Sequence, residues 1–258
     1  MKNKLCLITG GGSGIGRATA IKFAENKIDT IIVGRREDAL AETKNLANEN
    51  SKYINYIKAD ISNEKGINKL YDEIDEKFDN YVNILVNNAG SSSQIRSVAY
   101  IPKEQWDEVV NINLNSVYLI CQKFMKNMIK NKNGTIITIS SMAALKPGLL
   151  GGAPYGAAKA GVTNLMGAIN SEFSNDGIRA TSIMPGEVDT PILNNRAKIP
   201  NKNERDTMMQ PEDLAEIVFL ASNLNNRTNI ETVVVNATYK RDVSEDLNAA
   251  RNLSLIHI

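Results

Sequence analysis

Three side chains in the middle of the chain have the types and spacing for proton chemistry: Ser141, Tyr155 and Lys159. In Tyr155-Gly156-Ala157-Ala158-Lys159 the tyrosine and lysine are four residues apart, so on a helix they share one face. An ammonium beside a phenol favours the phenolate and draws the tyrosine pKa below its usual value of about 10. A tyrosine tuned in this way gives or takes a proton near neutral pH, the task of a general acid/base. Ser141, at the end of an apolar run, can hold a substrate oxygen by hydrogen bonding. By itself the tyrosine–lysine pair describes an ordinary solvated helix face equally well. The elements around it decide between the two.

Leu5–Thr9 is a short apolar run of the kind that forms a strand buried on both faces. It enters Gly10-Gly11-Gly12-Ser13-Gly14-Ile15-Gly16, after which Arg17 to Asn26 has helical character. Glycines at a strand-to-helix turn let a pyrophosphate approach the backbone and the helix N-terminus. A second strand, Thr30–Val33, ends at Gly34-Arg35-Arg36, with no acid before Glu37. An acidic residue at that strand end would bind a ribose 2′-hydroxyl, whereas guanidinium groups suit a 2′-phosphate. Arg35 and Arg36 therefore favour NADP(H) over NAD(H), the other reading being solvated charges at a helix start. Glu37 and Asp38 read as first-turn acids of a helix to about Asn50.

A third strand, Tyr53 to Lys58, closes at Asp60, which either meets an adenine amino group or caps the helix that follows near Ser62. Asn63 to Asp79 is a helix and Val82 to Val86 a fourth strand, opening into Asn87-Asn88-Ala89-Gly90, where small residues admit a ligand. A loop over 91–102 leads to a long helix from Lys103 to about Asn131 carrying Asn113 in an apolar run. A buried amide there needs partners, which fits a structural contact or a proton relay. Thr135–Ile139 delivers Ser140 and Ser141 to the C-terminal end of a fifth strand, where ligands of parallel sheets gather. The helix of Tyr155 runs to about Asn175, a sixth strand spans Ile178–Ile183, and Pro185-Gly186-Glu187-Val188-Asp189-Thr190 follows. Residues 191–210 are polar with little periodicity, suiting a mobile lid. A last helix at Pro211–Leu220 and strand at Thr232–Val235 complete an alternating series. The reading is one α/β domain over 1–238, a doubly wound Rossmann-type parallel sheet of about seven strands with helices on both faces. Its substrate lid covers about 187–210. The tail, 239–258, ends in the apolar stretch Leu253–Ile258, a docking segment or a non-native end.

Composition excludes other classes. Across 258 residues the net charge is +1, giving no basic surface for nucleic acid. Cys6 and Cys121 both lie in apolar segments and make no disulfide or metal framework, which favours a reducing compartment. No signal-like or membrane-spanning run is present, so a soluble cytoplasmic protein is expected. The one histidine, His257, is second-last, which removes histidine-dependent triads and the usual transition-metal sites, and no metal is expected.

Taken together, Thr9-Gly10-x3-Gly14-Ile15-Gly16, Asp60, Asn87-Asn88-Ala89-Gly90, Asn113, Ser141, Tyr155-x3-Lys159 and Pro185-Gly186-x3-Thr190 resemble the short-chain dehydrogenase/reductase family, over about residues 4–236. The resemblance implies Tyr155 as general acid/base and Lys159 lowering its pKa while holding the nicotinamide ribose. It implies Ser141 orienting the substrate oxygen and Asn113 holding a water that links Lys159 to solvent. Asn88 would stabilise the sheet. Gly10, Gly12, Ser13, Gly14, Ile15, Gly16, Asp60, Ile61, Asn87, Ala89 and Gly90 would bind the cofactor. So would Pro185, Gly186, Val188 and Thr190 at its nicotinamide end. Many NADP-linked relatives carry a basic residue in the first glycine loop; this chain has Ser13, so cofactor choice rests on Arg35 and Arg36. The expected reaction is hydride transfer between NADP(H) and a small carbonyl or alcohol substrate. The alternatives are an NAD-linked alcohol dehydrogenase of the same family and a nucleotide-binding sensor or scaffold without turnover. Substrate would contact Ser91–Ile95, Leu145–Ala153 and Glu187–Ile199, with Glu187 facing either a polar or cationic substrate or water. The resemblance also implies a homotetramer or homodimer, formed through the long helices around Asn113 and Tyr155.

Overall fold

The computed structural model describes residues 4–79 and 81–256; His257 and the end of the apolar tail lie outside them. In chain order the first half comprises β1 (Leu5–Thr9), α1 (Gly14–Glu25), β2 (Asp29–Gly34), α2 (Glu37–Leu46), β3 (Ile54–Lys58), α3 (Glu64–Phe78) and β4 (Ile84–Asn87). The second comprises α4 (Lys103–Val110), α5 (Ser116–Lys130), β5 (Gly134–Ile139), α6 (Ala153–Phe173), β6 (Ile178–Pro185), α7 (Lys202–Arg205), α8 (Pro211–Asn223), β7 (Thr232–Val235) and α9 (Ser244–Ile256).

All seven strands are parallel, in the order β3-β2-β1-β4-β5-β6-β7. Every residue of β1, β4 and β5 is buried, because helices cover both faces. Alternate side chains feed two cores. Leu7, Leu85 and Ile136 face α3, α5 and α6, while Cys6, Ile8, Val86 and Ile137 face α1 and α8. The edge strands β3 and β7 are only partly buried. The order reverses between β1 and β4, so their C-terminal ends diverge and open a crevice. No helix among the described residues is long and apolar enough to cross a membrane.

Three elements differ from the sequence reading in ways that matter. α2 stops at Leu46 and a 3-10 segment, Asn48–Tyr53, follows, because Asn48 adopts φ +50° and turns the chain out of the helix. The long helix 103–131 is interrupted by a π turn, Asn111–Asn115. There the Asn113 side-chain amide donates to the Val109 carbonyl at 2.8 Å, widening the helix by a side chain at its own ladder. The tail is not featureless: α9 packs on the domain with Asp246, Ala250 and Ser254 buried.

Candidate active site

The crevice is a cleft of about 490 Å³ along the C-terminal ends of the strands. Gly10, at the end of β1, has φ +69°, and its N–H donates to Val33 O at 2.8 Å. A Cβ there would sit 2.9 Å from Ala89 Cα, so only glycine lets the β1 and β4 ends approach this closely. Asn88 locks the same junction by donating from Nδ2 to Thr9 O at 3.0 Å and Gly10 O at 3.2 Å, the sheet-stabilising role expected of it. Thr9 Oγ1 accepts from the Asn88 and Ala89 amides at 3.1 Å, a tie the sequence reading had not assigned.

Of the residues expected around a cofactor, Gly10, Ser13, Gly14 and Ile15 line the cleft after β1, and Arg35, Asp60 and Ile61 line its far end. Ala89 and Gly90 line it after β4, and Pro185, Gly186, Val188 and Thr190 after β6. Gly12, Gly16, Asn87 and Arg36 do not line the cleft; Arg36 is exposed at the N-cap position of α2. Asp60 accepts from the Ser62 amide at 3.0 Å, whereas the side chain that caps α3 is Asn63. That hydrogen bond, more than the nearby Arg35 charge, holds the Asp60 carboxyl below its ordinary pKa. The glycine approach at Gly10, the open trough and a guanidinium at the β2 end fit an extended, phosphate-bearing dinucleotide.

Ser141, Tyr155 and Lys159 meet at the other end of the trough. β5 delivers Ser140 and Ser141, and the first turns of α6 deliver Tyr155 and Lys159. Ser140 Oγ donates to the Lys159 carbonyl at 2.9 Å and contacts Thr163 Oγ1 at 2.8 Å, fixing α6 against the sheet. Lys159 is buried; its Nζ donates to the Ile139 carbonyl at 2.7 Å and sits 5.5 Å from the Tyr155 ring centroid. A Cβ on Gly90 would lie 2.8 Å from Asn113 Oδ1 and 3.6 Å from Lys159 Nζ, so these three positions converge. Asn113 is fully buried, its Nδ2 spent on Ser91 O and Val109 O at 2.8 Å each, while Oδ1 has no partner among the described residues.

Electrostatics correct one expectation. Burial raises the Tyr155 pKa above 10 despite the lowering effects of the Ser141 hydroxyl and the Arg96 and Arg196 charges. Burial lowers Lys159 from 10.5 to about 8. Desolvation dominates at both groups, outweighing at Tyr155 the cations around it, with the Lys159 ammonium 5.5 Å from the ring centroid. Two arginines that sequence reasoning did not single out, Arg96 and Arg196, also favour the phenolate. Arg96 lies one residue past the loop stretch assigned to substrate, without periodicity to flag it, and Arg196 lies inside the lid.

The lid segment is an excursion whose ends are laced together. Val188 bridges Met209, Asp189 N donates to Met209 O at 2.9 Å, and Met209 N to Glu187 O at 3.2 Å. Glu187 lines the cleft but its carboxylate is taken up by arginines of the protein. Its carboxylate takes Arg196 at 2.6 Å and, through two bonds of 2.8 and 3.0 Å, Arg241 from the tail. Arg241 also grips Asp246 at 2.7 and 2.8 Å, so one guanidinium joins the lid to α9. Arg241 and Asp246 are 7% and 2% exposed, so the pair is desolvated. Burial alone would raise Asp246, but Arg241 and the neighbouring cations outweigh it and hold its pKa down. Arg241→Met should cost about 2 kcal/mol in urea denaturation, because Arg196 keeps part of each carboxylate's pairing. A loss under about 0.5 kcal/mol, the range of an ordinary surface substitution, would show the clasp to be a surface pairing only.

The short chain dehydrogenase profile matches residues 4–200. The chain belongs to the short-chain dehydrogenase family. It is similar to a 3-oxoacyl-[acyl-carrier-protein] reductase of Thermotoga maritima, at 31% identity over 237 residues, covering 86% of this chain and 92% of that protein. Among solved structures, the closed form of a serine dehydrogenase complexed with NADP+ superimposes with a TM-score of 0.83 at 26% identity, covering 93% and 97% of the two chains. A 3-ketoacyl-(acyl-carrier-protein) reductase from Brucella melitensis, complexed with NADH, gives 0.81 at 28% identity, covering 91% and 97%. Similar structures thus hold either dinucleotide, and the chain is an oxidoreductase of the short-chain dehydrogenase family.

Proposed function

We propose that this short-chain dehydrogenase is NADP(H)-dependent and interconverts a ketone or aldehyde with a secondary or primary alcohol. The observation that carries the reading is the convergence of Ser141, Tyr155 and Lys159 at one end of a trough whose other end is Arg35 and Asp60. The nicotinamide cofactor, when bound, supplies or accepts the hydride. Tyr155 gives its phenolic proton to the carbonyl oxygen in reduction and removes it from the hydroxyl in oxidation. Ser141 donates a hydrogen bond to that oxygen and fixes its position relative to Tyr155. Lys159, anchored at the Ile139 carbonyl, offers its remaining protons to the ribose and keeps positive charge near the phenolate as it forms. The partnerless Asn113 Oδ1 supports a role in holding a water that passes protons between Lys159 and solvent.

Arg35, exposed at the end of β2 and lining the cleft, supports 2′-phosphate binding. Arg36 contributes charge from the N-cap position of α2. Titration with NADPH and NADH, followed by nicotinamide fluorescence, should show tighter NADPH binding. Arg35→Asp should weaken NADPH by roughly 10- to 100-fold, the worth of a charge-assisted pair, and NADH far less. An equal effect on both would return the chain to the NAD-linked reading. We further infer a homodimer or homotetramer in a reducing cytoplasm, paired through α5 and α6, which expose Tyr118 on one and the small residues Ala157 and Ala160 on the other. Light scattering that returned a monomer would refute the pairing.

A further inference from the structure

Arg96 is 4% exposed and lines the cleft on the side of Tyr155. Its Nε donates to Ser93 O at 3.3 Å and its Nη1 to Leu150 O, leaving Nη2 without a protein acceptor among the described residues. None of their carboxylates forms an ion pair with it, although a buried charge without a counterion is costly. The neighbouring carboxylates are already paired with other cations. Arg196, Lys198 and Arg241 face Glu187, Glu204 and Asp246, with Glu245 added at the exposed rim. The field of Asp246 reaches Arg96, but that carboxylate is already held by Arg241 at 2.7 and 2.8 Å and makes no hydrogen bond with Arg96.

Its position is also fixed. The Arg96 carbonyl accepts from Ala153 N at 3.1 Å, at the start of α6, and its stem crosses Gly152. Gly152 has φ +87°, and a Cβ there would press on the Arg96 stem at 3.1 Å, so glycine is required to let the arginine lie across the helix start. Tyr155 is on the first turn of that helix. The serine hydroxyls of Ser91 and Ser92, on the same wall, have no partner among the described residues.

We infer that this end of the cleft is a carboxylate site, and that the substrate is a small oxo or hydroxy acid whose carboxylate Arg96 binds while its reacting oxygen lies at Ser141 and Tyr155. A guanidinium presents parallel donors to a planar carboxylate, and the free Nη2 of Arg96 with the unpartnered Ser91 and Ser92 hydroxyls supplies donors for one. The inference rests on the proposed carbonyl–alcohol chemistry of the site, but its first test does not need turnover. Calorimetric titration of the protein, with and without NADP+, compares butanoate with its neutral counterpart butanamide. Butanoate should bind at least tenfold tighter, and Arg96→Met should remove roughly 10- to 100-fold of its affinity, with partial recovery in Arg96→Lys.

The second test is reduction of 3-oxobutanoate against its methyl ester with NADPH. Wild type should favour the acid in kcat/KM, and Arg96→Met should lower the acid-to-ester ratio at least tenfold. A purely structural Arg96, tying Ser93 to Leu150, would lower both substrates together and leave the ratio unchanged. Equal binding of butanoate and butanamide by the wild-type protein overturns the carboxylate site whatever the variants do. Tight butanoate binding without reduction of any carbonyl compound would sustain the site and overturn the catalytic reading instead.

Discussion

Tyr155→Phe is expected to lower kcat by roughly 10²- to 10⁴-fold, the range of a positioned general acid/base. The phenyl ring fills the same space on the first turn of α6, so the cleft keeps its shape. NADPH affinity should therefore stay within about threefold, since the contacts proposed for the dinucleotide at the glycine turn and at Arg35 are untouched. The burial that raises the phenol's pKa gives the reaction a direction-dependent pH profile. Reduction, which uses the protonated phenol, is expected to hold up to high pH, whereas oxidation, which needs the phenolate, should climb with pH across the neutral and mildly alkaline range. Wild-type-like turnover by Tyr155→Phe, measured with any carbonyl compound that the native protein reduces, would remove Tyr155 from the chemistry.

Lys159→Met separates function from stability. Loss of the ammonium is expected to cost roughly 10²- to 10³-fold in kcat, as for removal of an electrostatic group at a reacting oxygen. The folded protein should nevertheless become more stable at pH 7. Burial lowers the Lys159 pKa from 10.5 to about 8, so the folded state holds this proton less tightly than the unfolded chain does. At pH 7 the lysine is charged in both states, and the buried charge is a penalty of up to about 3 kcal/mol. Between pH 8 and 10.5 the folded protein has lost the proton that the unfolded chain still binds, so wild-type stability rises through that window. The advantage of Lys159→Met, about 1 to 3 kcal/mol in urea denaturation at neutral pH, should shrink towards zero near pH 10.5. A variant less stable than wild type by the same amount at every pH would mean that the bond to the Ile139 carbonyl outweighs the cost of burying the charge.

The alternation of apolar runs with helical segments was enough to place five strands to within about a residue of their observed ends, and β4 and β6 to within two. Ser141, Tyr155 and Lys159 were legible because their spacing is local, and α6 and the end of β5 express it directly. The π turn at Asn113 was not. It depends on an amide donating to Ser91 and Val109, a contact across 22 residues that no periodicity records.

What the chain determined by itself is the sheet, its glycine turn and the placement of Tyr155 and Lys159 together, since each rests on period, residue type or separation along a single element. Tertiary structure decided the charges around them. Glu187, which the sequence left between solvent and substrate, is claimed by Arg196 of the lid and Arg241 of the tail, 54 residues away. Arg96 is brought across Gly152 to the start of α6 and left without a carboxylate among the described residues. Both outcomes come from which charges share a desolvated space after folding. Coulomb energies grow in that space as water leaves, and sequence separation carries no information about it.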